Sequence, residues 1–437
     1  MTSRADVEAA LAERTNFEKT GQLRTPTLER MTFLADVLGS PQEAFGVIAI
    51  TGTNGKSTAA LAASAVLSAA GLTVGTYTSP HVSRITERIR YDLDPIDDDA
   101  FVEAWRELGP ILEFCDSQVG QISWFEAMTG LGLLIFADRG VDVAVMEVGM
   151  GGSWDATNIA DAQVALALPV GHDHAVLGAT PAEKAVEKAG IIKEGSSLVL
   201  SSQPEEGVRE VFLSRAAELD VPVIEEGDSW GLEEAKLALA GQSLSLTIGG
   251  ERYDEIFLPM FGTHVAHSAV AGLTAGATFL AGEETLDEDL ISEAAGRVRL
   301  PGRMEVLRRK PLVLVDGAHN EEATHALATA LPVTFRYDQL RLVVGAMADK
   351  DLPKLLRPLA LLADEIICTR VDWPRAADPE MLAEVIRAQG ISEVRVVGSP
   401  RDAIGIALEH SRESDAVLIA GSLYLAGDAR EVLAGGD

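Results

Sequence analysis

One short segment constrains the fold of this chain more than any other: residues 50–58, with the sequence ITGTNGKST. The apolar run at residues 47–50 predicts a buried strand before it, and the Ala-rich run at residues 59–70 has a helical composition. Gly52 and Gly55 let the turn expose successive backbone N–H groups beside the positive end of that helix, which together form a site for polyphosphate. The segment therefore predicts a P-loop at the junction of a strand and a helix.

The side chains of the loop agree with this interpretation. Lys56 would supply a positive charge to the β- and γ-phosphates, and Ser57 or Thr58 a hydroxyl near Mg²⁺. The usual P-loop spacing requires a glycine at position 50, where this chain has Ile50. The loop is therefore a shortened variant. The alternative is an ordinary glycine-rich turn between a strand and a helix.

Length and charge narrow the choice of protein class. A chain of 437 residues is too long for one average core, so we expect two or three domains. The formal net charge of −31 argues against a nucleic-acid binder. Anionic substrates would need locally concentrated positive charge, for which Arg84, Arg88, Arg90, Lys188 and Lys193 are the candidates. Ordinary surface charge is the alternative for each of them.

The sequence gives no signal for export or for membrane insertion. Residues 1–14 are polar and lack the apolar core of a secretory signal. No apolar run approaches the length of a membrane span. Cys115 and Cys368 lie far apart without metal-ligand spacing, which is typical of free thiols in a reducing compartment. We therefore expect a cytoplasmic protein.

Apolar strands alternate with helical stretches after the P-loop. The predicted strands are residues 73–78, 141–148 and 162–168, and the predicted helices are residues 98–116, 123–139, 181–188 and 266–280. Strands separated by helices imply a parallel sheet covered on both faces. Residues 244–248 alternate as a β-strand does and precede the turn at Gly249-Gly250.

A second α/β series begins near residues 299–303. Its predicted strands are residues 312–315, 340–344, 365–369, 394–397 and 416–419. We therefore predict the α/β fold class, with a P-loop-containing, mostly parallel-sheet ATPase domain at residues 1–298. A smaller, Rossmann-like domain is predicted at residues 299–437.

Polar residues follow two of the strands predicted in the first domain. Glu147 ends one strand, and Asp173 and His174 come after the next. Because the carboxyl ends of parallel strands meet at the edge where α/β folds bind ligands, these side chains should lie near the P-loop. Mg²⁺ prefers few carboxylates together with phosphate and water oxygens, which suits Glu147. A surface glutamate at the end of a strand is the alternative.

A set of short motifs recurs, in this order, in one family. The motifs are GTNGKS at 52–57, TSPH at 78–81 with ERI at 87–89, EVGMGG at 147–152 with DATN at 155–158, DH at 173–174, EKAGII at 187–192, LPGR at 300–303, DGAHN at 316–320 and GSLYL at 421–425. Through them the chain resembles the folylpolyglutamate synthase/dihydrofolate synthase family, a branch of the Mur ligase superfamily. The resemblance extends over about residues 20–430.

The resemblance implies ATP-dependent formation of an amide bond. A substrate carboxylate attacks the γ-phosphate to give an acyl phosphate, and the amine of L-glutamate then displaces phosphate. The implied substrates are dihydropteroate, reduced folates, or both, and we expect a bifunctional enzyme. The implied cofactors are ATP and Mg²⁺ at two sites, with a monovalent cation as a further option. A monomer without nucleic-acid or membrane partners is expected.

Three alternatives are open at this point. Another Mur-type amino-acid ligase, for example one acting on a UDP-muramoyl precursor, is disfavoured by the TSPH and DATN motifs. A nucleotide-binding regulator without ligase activity is disfavoured because Lys56, Glu147, His174 and Lys188 are all present. A P-loop kinase or GTPase fits neither the loop spacing nor the absence of an Asn-Lys-x-Asp pattern.

The resemblance also implies roles for individual residues. The expected catalytic residues are Lys56, Glu147, His174, Lys188 and His319. The expected nucleotide-binding residues are Gly52, Thr53, Asn54, Gly55, Lys56, Ser57, Thr58, Ser268, Arg303 and Asp316. The expected Mg²⁺ ligands are Ser79, Glu147, His174 and Lys188, the last carboxylated on its ε-amine. The expected substrate-binding residues are Arg84, Phe125, Glu126, Asp155 and Ser422.

Departures from the family pattern leave three contacts open. Lys56-Ser57-Thr58 stands where the family commonly has Lys-Gly-Ser, so the hydroxyl that faces the metal is undetermined. Ser268 replaces an asparagine that contacts ATP in the family. The segment GSWD at residues 152–155 lacks an arginine on the folate side.

Near the N-terminus, TLERM at residues 27–31 resembles the family's substrate-loop segment.

Overall fold

The computed structural model describes residues 3–21, 26–173, 175–280 and 286–434. The helices in these ranges are α1 (Arg4–Ala12), α2 (Phe17–Thr20), α3 (Glu29–Val37), α4 (Lys56–Ala69), α5 (Asp98–Val119), α6 (Trp124–Asp138), α7 (Pro181–Lys188), α8 (Val208–Glu218), α9 (Thr263–Leu280), α10 (Glu288–Arg297), α11 (Glu321–Thr334), α12 (Leu352–Ala360), α13 (Pro379–Arg387), α14 (Pro400–Glu409) and α15 (Leu423–Ala434). The strands are β1 (Gly46–Thr51), β2 (Val74–Tyr77), β3 (Ile89–Tyr91), β4 (Asp94–Pro95), β5 (Val143–Glu147), β6 (Val164–Ala167), β7 (Ser197–Leu200), β8 (Val223–Glu225), β9 (Trp230–Ala238), β10 (Gly241–Ile248), β11 (Glu251–Leu258), β12 (Glu305–Arg309), β13 (Leu312–Val315), β14 (Leu340–Val344), β15 (Glu365–Cys368), β16 (Val394–Val396) and β17 (Ala416–Ala420).

The first domain is built on a sheet with the strand order β4-β3-β2-β5-β1-β6-β7-β8. From β2 to β8 all neighbours are parallel, whereas β3 and β4 add an antiparallel edge. The near-continuous apolar sequence of β1 and β5 follows from burial of both faces, as in parallel sheets generally. The register pairs Ile50 with Glu147, so the P-loop and the carboxylate leave the sheet at the same edge.

The P-loop helix α4 is held tightly against α9. Gly272 of α9 lies so close to the backbone of Ala59 that a Cβ there would overlap it. A Cβ on Gly276 would lie 2.9 Å from the carbonyl oxygen of Ala63. Close approach of backbones requires small residues, which explains the Ala- and Gly-rich composition of both helices. The position of α4, and hence of the P-loop, is therefore fixed by helix packing.

A small antiparallel sheet, ordered β11-β10-β9, covers the outer side of α9 and α10. The alternation predicted at residues 244–248 belongs to β10, and Gly249 and Gly250 make its turn with φ values of 61° and 82°. These left-handed conformations favour glycine, which is why the dipeptide marks the hairpin.

The second domain has the strand order β12-β13-β17-β14-β15-β16, in which β12 alone runs antiparallel. Its five predicted strands are present, with ends that differ by no more than one residue from the prediction. The predicted α/β fold class is therefore confirmed. The boundary proposed between residues 298 and 299 falls in the connection between α10 and β12.

The structure also bears on the expectations about membrane spans and cysteines. In the described ranges no helix is long and apolar enough to cross a membrane. Cys115 and Cys368 are both buried and neither forms a disulfide.

Candidate active site

The P-loop connects β1 to α4 with two glycines in unusual backbone conformations. Gly52 has a φ of 145° and Gly55 a φ of 82°, and Gly55 caps the helix that begins at Lys56. The ammonium group of Lys56 lies 3.3 Å from the carbonyl oxygens of both Gly52 and Thr53, so it bends back over the loop. The loop therefore presents a helix N-terminus and a cation to the same space, as a phosphate site requires.

Glu147 lies directly beside this loop. The hydroxyl of Ser57 donates a hydrogen bond of 2.8 Å to its Oε2, and the backbone N–H of Ser79 donates one of 3.0 Å to the same oxygen. Burial raises the pKa of Glu147, and the positive charge of Lys56 opposes that rise. Of the two candidate hydroxyls, Ser57 is the one that reaches this carboxylate.

Lys188 ends α7 immediately behind the P-loop. Its Nζ donates a hydrogen bond of 2.8 Å to the carbonyl oxygen of Gly52, and the residue is only 3% exposed. Burial, together with the nearby charge of Lys56, lowers the pKa of Lys188 to about 7. Near neutral pH a large fraction of this amine is therefore uncharged, and an uncharged amine is nucleophilic.

The second domain contributes His319 and its neighbours to the opposite side of the cleft. His319 Nδ1 lies 2.8 Å from the carbonyl oxygen of Gly317, and its Nε2 lies 3.8 Å from a carboxylate oxygen of Asp173. Lys350 Nζ lies 2.6 Å from the other oxygen of Asp173, which joins the two domains. Burial and the charge of Lys350 lower the pKa of His319. Asp316 accepts backbone hydrogen bonds of 2.8 Å that shape this loop.

Another group of predicted residues forms the wall nearest the N-terminus. Glu126 forms an ion pair of 3.0 Å with Arg30, from the substrate-loop segment, and accepts a capping hydrogen bond at the start of α6. Phe125 packs against Gly149, where an added Cβ would overlap its ring. Asp155 is buried and accepts three hydrogen bonds from the loop around it, and burial raises its pKa.

A single cleft of about 660 Å³ brings most of the predicted residues together. Those that line it are Thr53, Asn54, Gly55, Lys56, Ser57, Thr58, Ser79, Phe125, Glu126, Glu147, Asp155, Ser268, Arg303, Asp316, His319 and Ser422. Gly52 and Lys188 lie just behind this lining: Lys56 and Lys188 both donate to the carbonyl oxygen of Gly52. His174 lies outside the described residues. In the described ranges, no group of three or more His, Cys, Asp or Glu side chains gathers as a metal site.

The structure does not bring Arg84 to the cleft. Arg84 is exposed and forms an ion pair of 2.7 Å with Asp98 at the start of α5. Arg88 is fully buried against Glu18, and Arg90 donates to the carbonyl oxygen of Leu93. The three arginines therefore have separate partners, on α5, on α2 and in the turn after β3.

Sequence analysis missed several cleft residues of the second domain. Lys350 and Arg375 both line the cleft, on the loops that follow β14 and β15. The signal that could have found them is the one that identified Glu147, namely polar residues just after a parallel strand.

Fold and cleft together define a class of protein. A P-loop domain and a second α/β domain that close on one phosphate-binding cleft are the arrangement of a Mur-type ligase, and residues 302–423 match the family model "Mur ligase, glutamate ligase domain". More particularly, the chain belongs to the family of dihydrofolate synthase/folylpolyglutamate synthase, which are ATP-dependent ligases. The family inferred from the sequence motifs is thereby confirmed.

A sequence relative and two solved structures support this membership. A dihydrofolate synthase/folylpolyglutamate synthase of Mycobacterium tuberculosis is 36% identical over an alignment of 435 positions, which covers 93% of this chain and 89% of the relative. The structure resembles that of Mycobacterium tuberculosis folylpolyglutamate synthase complexed with ADP and AMPPCP, with a TM-score of 0.91, 35% identity and coverage of 99% and 98% of the two chains. Escherichia coli FolC in complex with DHPP and ADP gives a TM-score of 0.85 at 26% identity, again covering 99% of this chain and 98% of that one.

Proposed function

We propose that this chain uses ATP to join L-glutamate to dihydropteroate and to reduced folates through an acyl phosphate, and so has both synthase activities. The observation that carries the proposal is the single cleft in which the P-loop and Glu147 of one domain face His319 and Ser422 of the other. Two substrates and a nucleotide must meet in such a ligase, and the cleft offers a wall for each.

The phosphate side of the cleft would bind ATP and stabilise the phosphoryl group in transfer. Negative charge shifts among the phosphoryl oxygens in the transition state, so fixed N–H groups and a nearby cation contribute electrostatically. The P-loop amides and Lys56 provide both. Arg303 and Asp316 line the same cleft from the connection and the second domain, as expected for nucleotide contacts.

The residues around Glu147 fit a Mg²⁺ ion. The carboxylate of Glu147 has the hydroxyl of Ser57 at 2.8 Å, and the backbone N–H of Ser79 holds the same oxygen in place. Mg²⁺ prefers few protein oxygens supplemented by phosphate and water. Glu147, Ser79 and Ser57 would hold the ion, which would neutralise charge on the phosphates. Carboxylation of Lys188 would add an anionic oxygen donor, and its uncharged amine near neutral pH supports that modification. Its alternative is an unmodified lysine that pairs with phosphate.

The remaining walls would bind the two reacting partners. Phe125, Glu126 and Asp155 would contact the pterin, beside the N-terminal segment that carries Arg30. The DHPP complex of the Escherichia coli relative supports a pterin acid as one substrate. His319 and Ser422 would contact the incoming glutamate. A monomeric state and a cytoplasmic location stay predictions.

The proposal is tested by ADP release from the purified protein with ATP and Mg²⁺. Turnover should require both L-glutamate and a pterin carboxylate, and separate assays with dihydropteroate and tetrahydrofolate establish whether both activities are present. Lys56→Ala should lower kcat by roughly a hundredfold or more, because it removes a charge that acts on the transition state. Lys236→Ala, on the exposed β9, is the matched control. Turnover with a muramoyl nucleotide in place of a pterin would overturn the folate assignment.

A further inference from the structure

The second domain presents four side chains to the cleft from the ends of adjacent parallel strands. In the spatial order β13, β17, β14 and β15, the loops after these strands carry His319, Ser422, Lys350 and Arg375. Arg375 is the outermost of the four and comes from the sequence TRVDWPRAAD, at residues 369–378. No role has been assigned to it so far.

The loop that carries Arg375 is rigid in its backbone. The carbonyl oxygen of Arg375 accepts a hydrogen bond of 2.8 Å from Ala348, and Ala377 donates one of 2.8 Å to Ala346. These bonds join the loop to the one that carries Lys350. Two residues before Arg375, Trp373 stacks on Tyr424 with ring centroids 4.0 Å apart. Backbone hydrogen bonds and ring stacking therefore hold the loop that brings Arg375 to the cleft wall.

The guanidinium of Arg375 has hydrogen-bonding capacity to spare. Its Nη1 lies 2.9 Å from Asp349, whose side chain is 50% exposed, while the Arg375 side chain is 22% exposed. Its Nε is buried and has no hydrogen-bond partner among the residues that the structure describes. A buried N–H without an acceptor is unfavourable, and an anionic oxygen entering the cleft would relieve it.

Two other basic side chains of the cleft, Lys350 and Arg30, are engaged more fully, whereas Lys56 and Arg303 are the ones proposed to contact the nucleotide. Lys350 lies 2.6 Å from Asp173, and both side chains are largely buried. Arg30 is paired with Glu126 at 3.0 Å, again with both side chains mostly covered. A chain with a net charge of −31 repels anions overall, so a carboxylate in the cleft needs a local cation. Arg375, with its exposed partner, is the best placed to provide one.

We propose that Arg375 binds a carboxylate of a glutamyl group in the cleft. The inference rests on the proposed function, because it names a residue for that reaction. Arginine suits the role because its planar fork matches a carboxylate with two parallel hydrogen bonds. The carboxylate could belong to free L-glutamate or to the glutamyl tail of a folate, and the experiment below separates these sources.

The test is steady-state kinetics on the full chain with Arg375→Gln. With dihydropteroate, which has no glutamyl tail, the KM for L-glutamate should rise roughly tenfold to a hundredfold, as expected for a lost charge-assisted hydrogen bond, with a much smaller change in kcat. Arg375→Lys should recover part of the loss. Arg395→Gln is the matched control, since Arg395 pairs with Glu365 and does not line the cleft. A rise confined to the KM of tetrahydrofolate carrying several glutamates would assign Arg375 to the tail instead.

A second variant separates binding from a merely structural ion pair. Asp349→Asn removes the partner of Arg375 but leaves the guanidinium in place, so the KM for L-glutamate should stay equal or fall. If Asp349→Asn raised that KM as much as Arg375→Gln, the ion pair alone would matter and the inference would be overturned. Unchanged KM values in Arg375→Gln would overturn it as well, while wild-type turnover in the same assay would leave the proposed function intact. A wild-type protein inactive with every pterin would overturn both.

Discussion

Lys188 makes the stability of the fold depend on pH. It is buried beside Lys56, and its pKa lies near 7 instead of the usual value for lysine. The unfolded chain therefore binds a proton that the folded chain does not, over the pH range between these two values. The free energy of unfolding consequently rises with pH across that range. Burial of Lys188 lowers it by the full amount only below about pH 7.

Replacing Lys188 with Met should therefore stabilise the fold in mild acid while it removes activity. The lowered pKa of Lys188 corresponds to a gain in the free energy of unfolding of the variant on the order of 4 kcal/mol at about pH 6. This gain should shrink towards zero as the pH approaches about 10. Urea unfolding across this pH range measures it. Lys236→Met is the control, because Lys236 is exposed and pairs with the half-exposed Glu234. A gap between Lys188→Met and wild type that does not change with pH would contradict the argument.

The hydroxyls of Ser57 and Thr58 should contribute differently to turnover. Only for Ser57 does the structure show a hydroxyl hydrogen bond to Glu147, at 2.8 Å. Ser57→Ala should lower kcat roughly tenfold or more, because Glu147 loses an oriented hydroxyl partner beside the P-loop. Thr58→Val should have the smaller effect. Measurements of kcat at saturating ATP decide the matter, and the reverse order would place the working hydroxyl on Thr58.

At the scale of elements, the short helix α2 holds the two domains together. Glu18 accepts two hydrogen bonds from the buried Arg88 and one of 3.2 Å from the hydroxyl of Tyr424. Its backbone carbonyl accepts one of 2.9 Å from the indole of Trp373. Burial alone would raise the pKa of Glu18, but the charge and hydrogen bonds of Arg88 outweigh it and lower the pKa. This stabilisation is present above the ordinary pKa of glutamate and is lost as the pH falls below it.

Glu18→Gln should consequently destabilise the protein by about 3 to 5 kcal/mol, since it leaves the buried charge of Arg88 without its partner. Glu234→Gln is the matched control on β9. Its pair with Lys236 is half-exposed, and removing such a pair should cost less than about 1 kcal/mol. Equilibrium unfolding in urea compares the two. Equal effects would mean that α2 contributes nothing special to the association of the domains.

Sequence reasoning succeeded and failed at this scale for physical reasons. The strands of both sheets were predictable because burial of both faces makes them apolar runs, as at β5 and β14. The role of α2 was not, because Glu18 meets Trp373 and Tyr424 across 355 and 406 residues of chain. The family motifs located the P-loop, Glu147 and Lys188, yet they could not show that Arg88 is a structural partner.

At the scale of the whole molecule, the cleft is closed by contacts that cross between the domains. Lys350 reaches Asp173, and Asn320 donates a hydrogen bond of 2.9 Å to Asn54 of the P-loop. A ligand that fills the cleft should therefore stabilise both domains at once.

ADP with Mg²⁺ at about 100 times its Kd should stabilise the protein by about 2.7 kcal/mol and raise Tm by several degrees. Calorimetry should show one sharpened transition in place of a broader one. Lys56→Ala should lose most of the shift, whereas Lys236→Ala should keep it. If ADP with Mg²⁺ raised the melting temperature of only part of the unfolding transition, the nucleotide would be bound by one domain alone.

The packing of α4 against α9 has a mechanical consequence. With Gly272 and Gly276 in backbone contact with α4, the helix behind the phosphate-binding loop has no room to slide or to tilt. The phosphate-binding loop is thus fixed to the body of the first domain. We expect any movement of the second domain relative to the first to turn about the connection at residues 298–304, where Gly302 has a φ of 69°. Stiffening that connection should slow turnover without weakening the grip of the loop on phosphate.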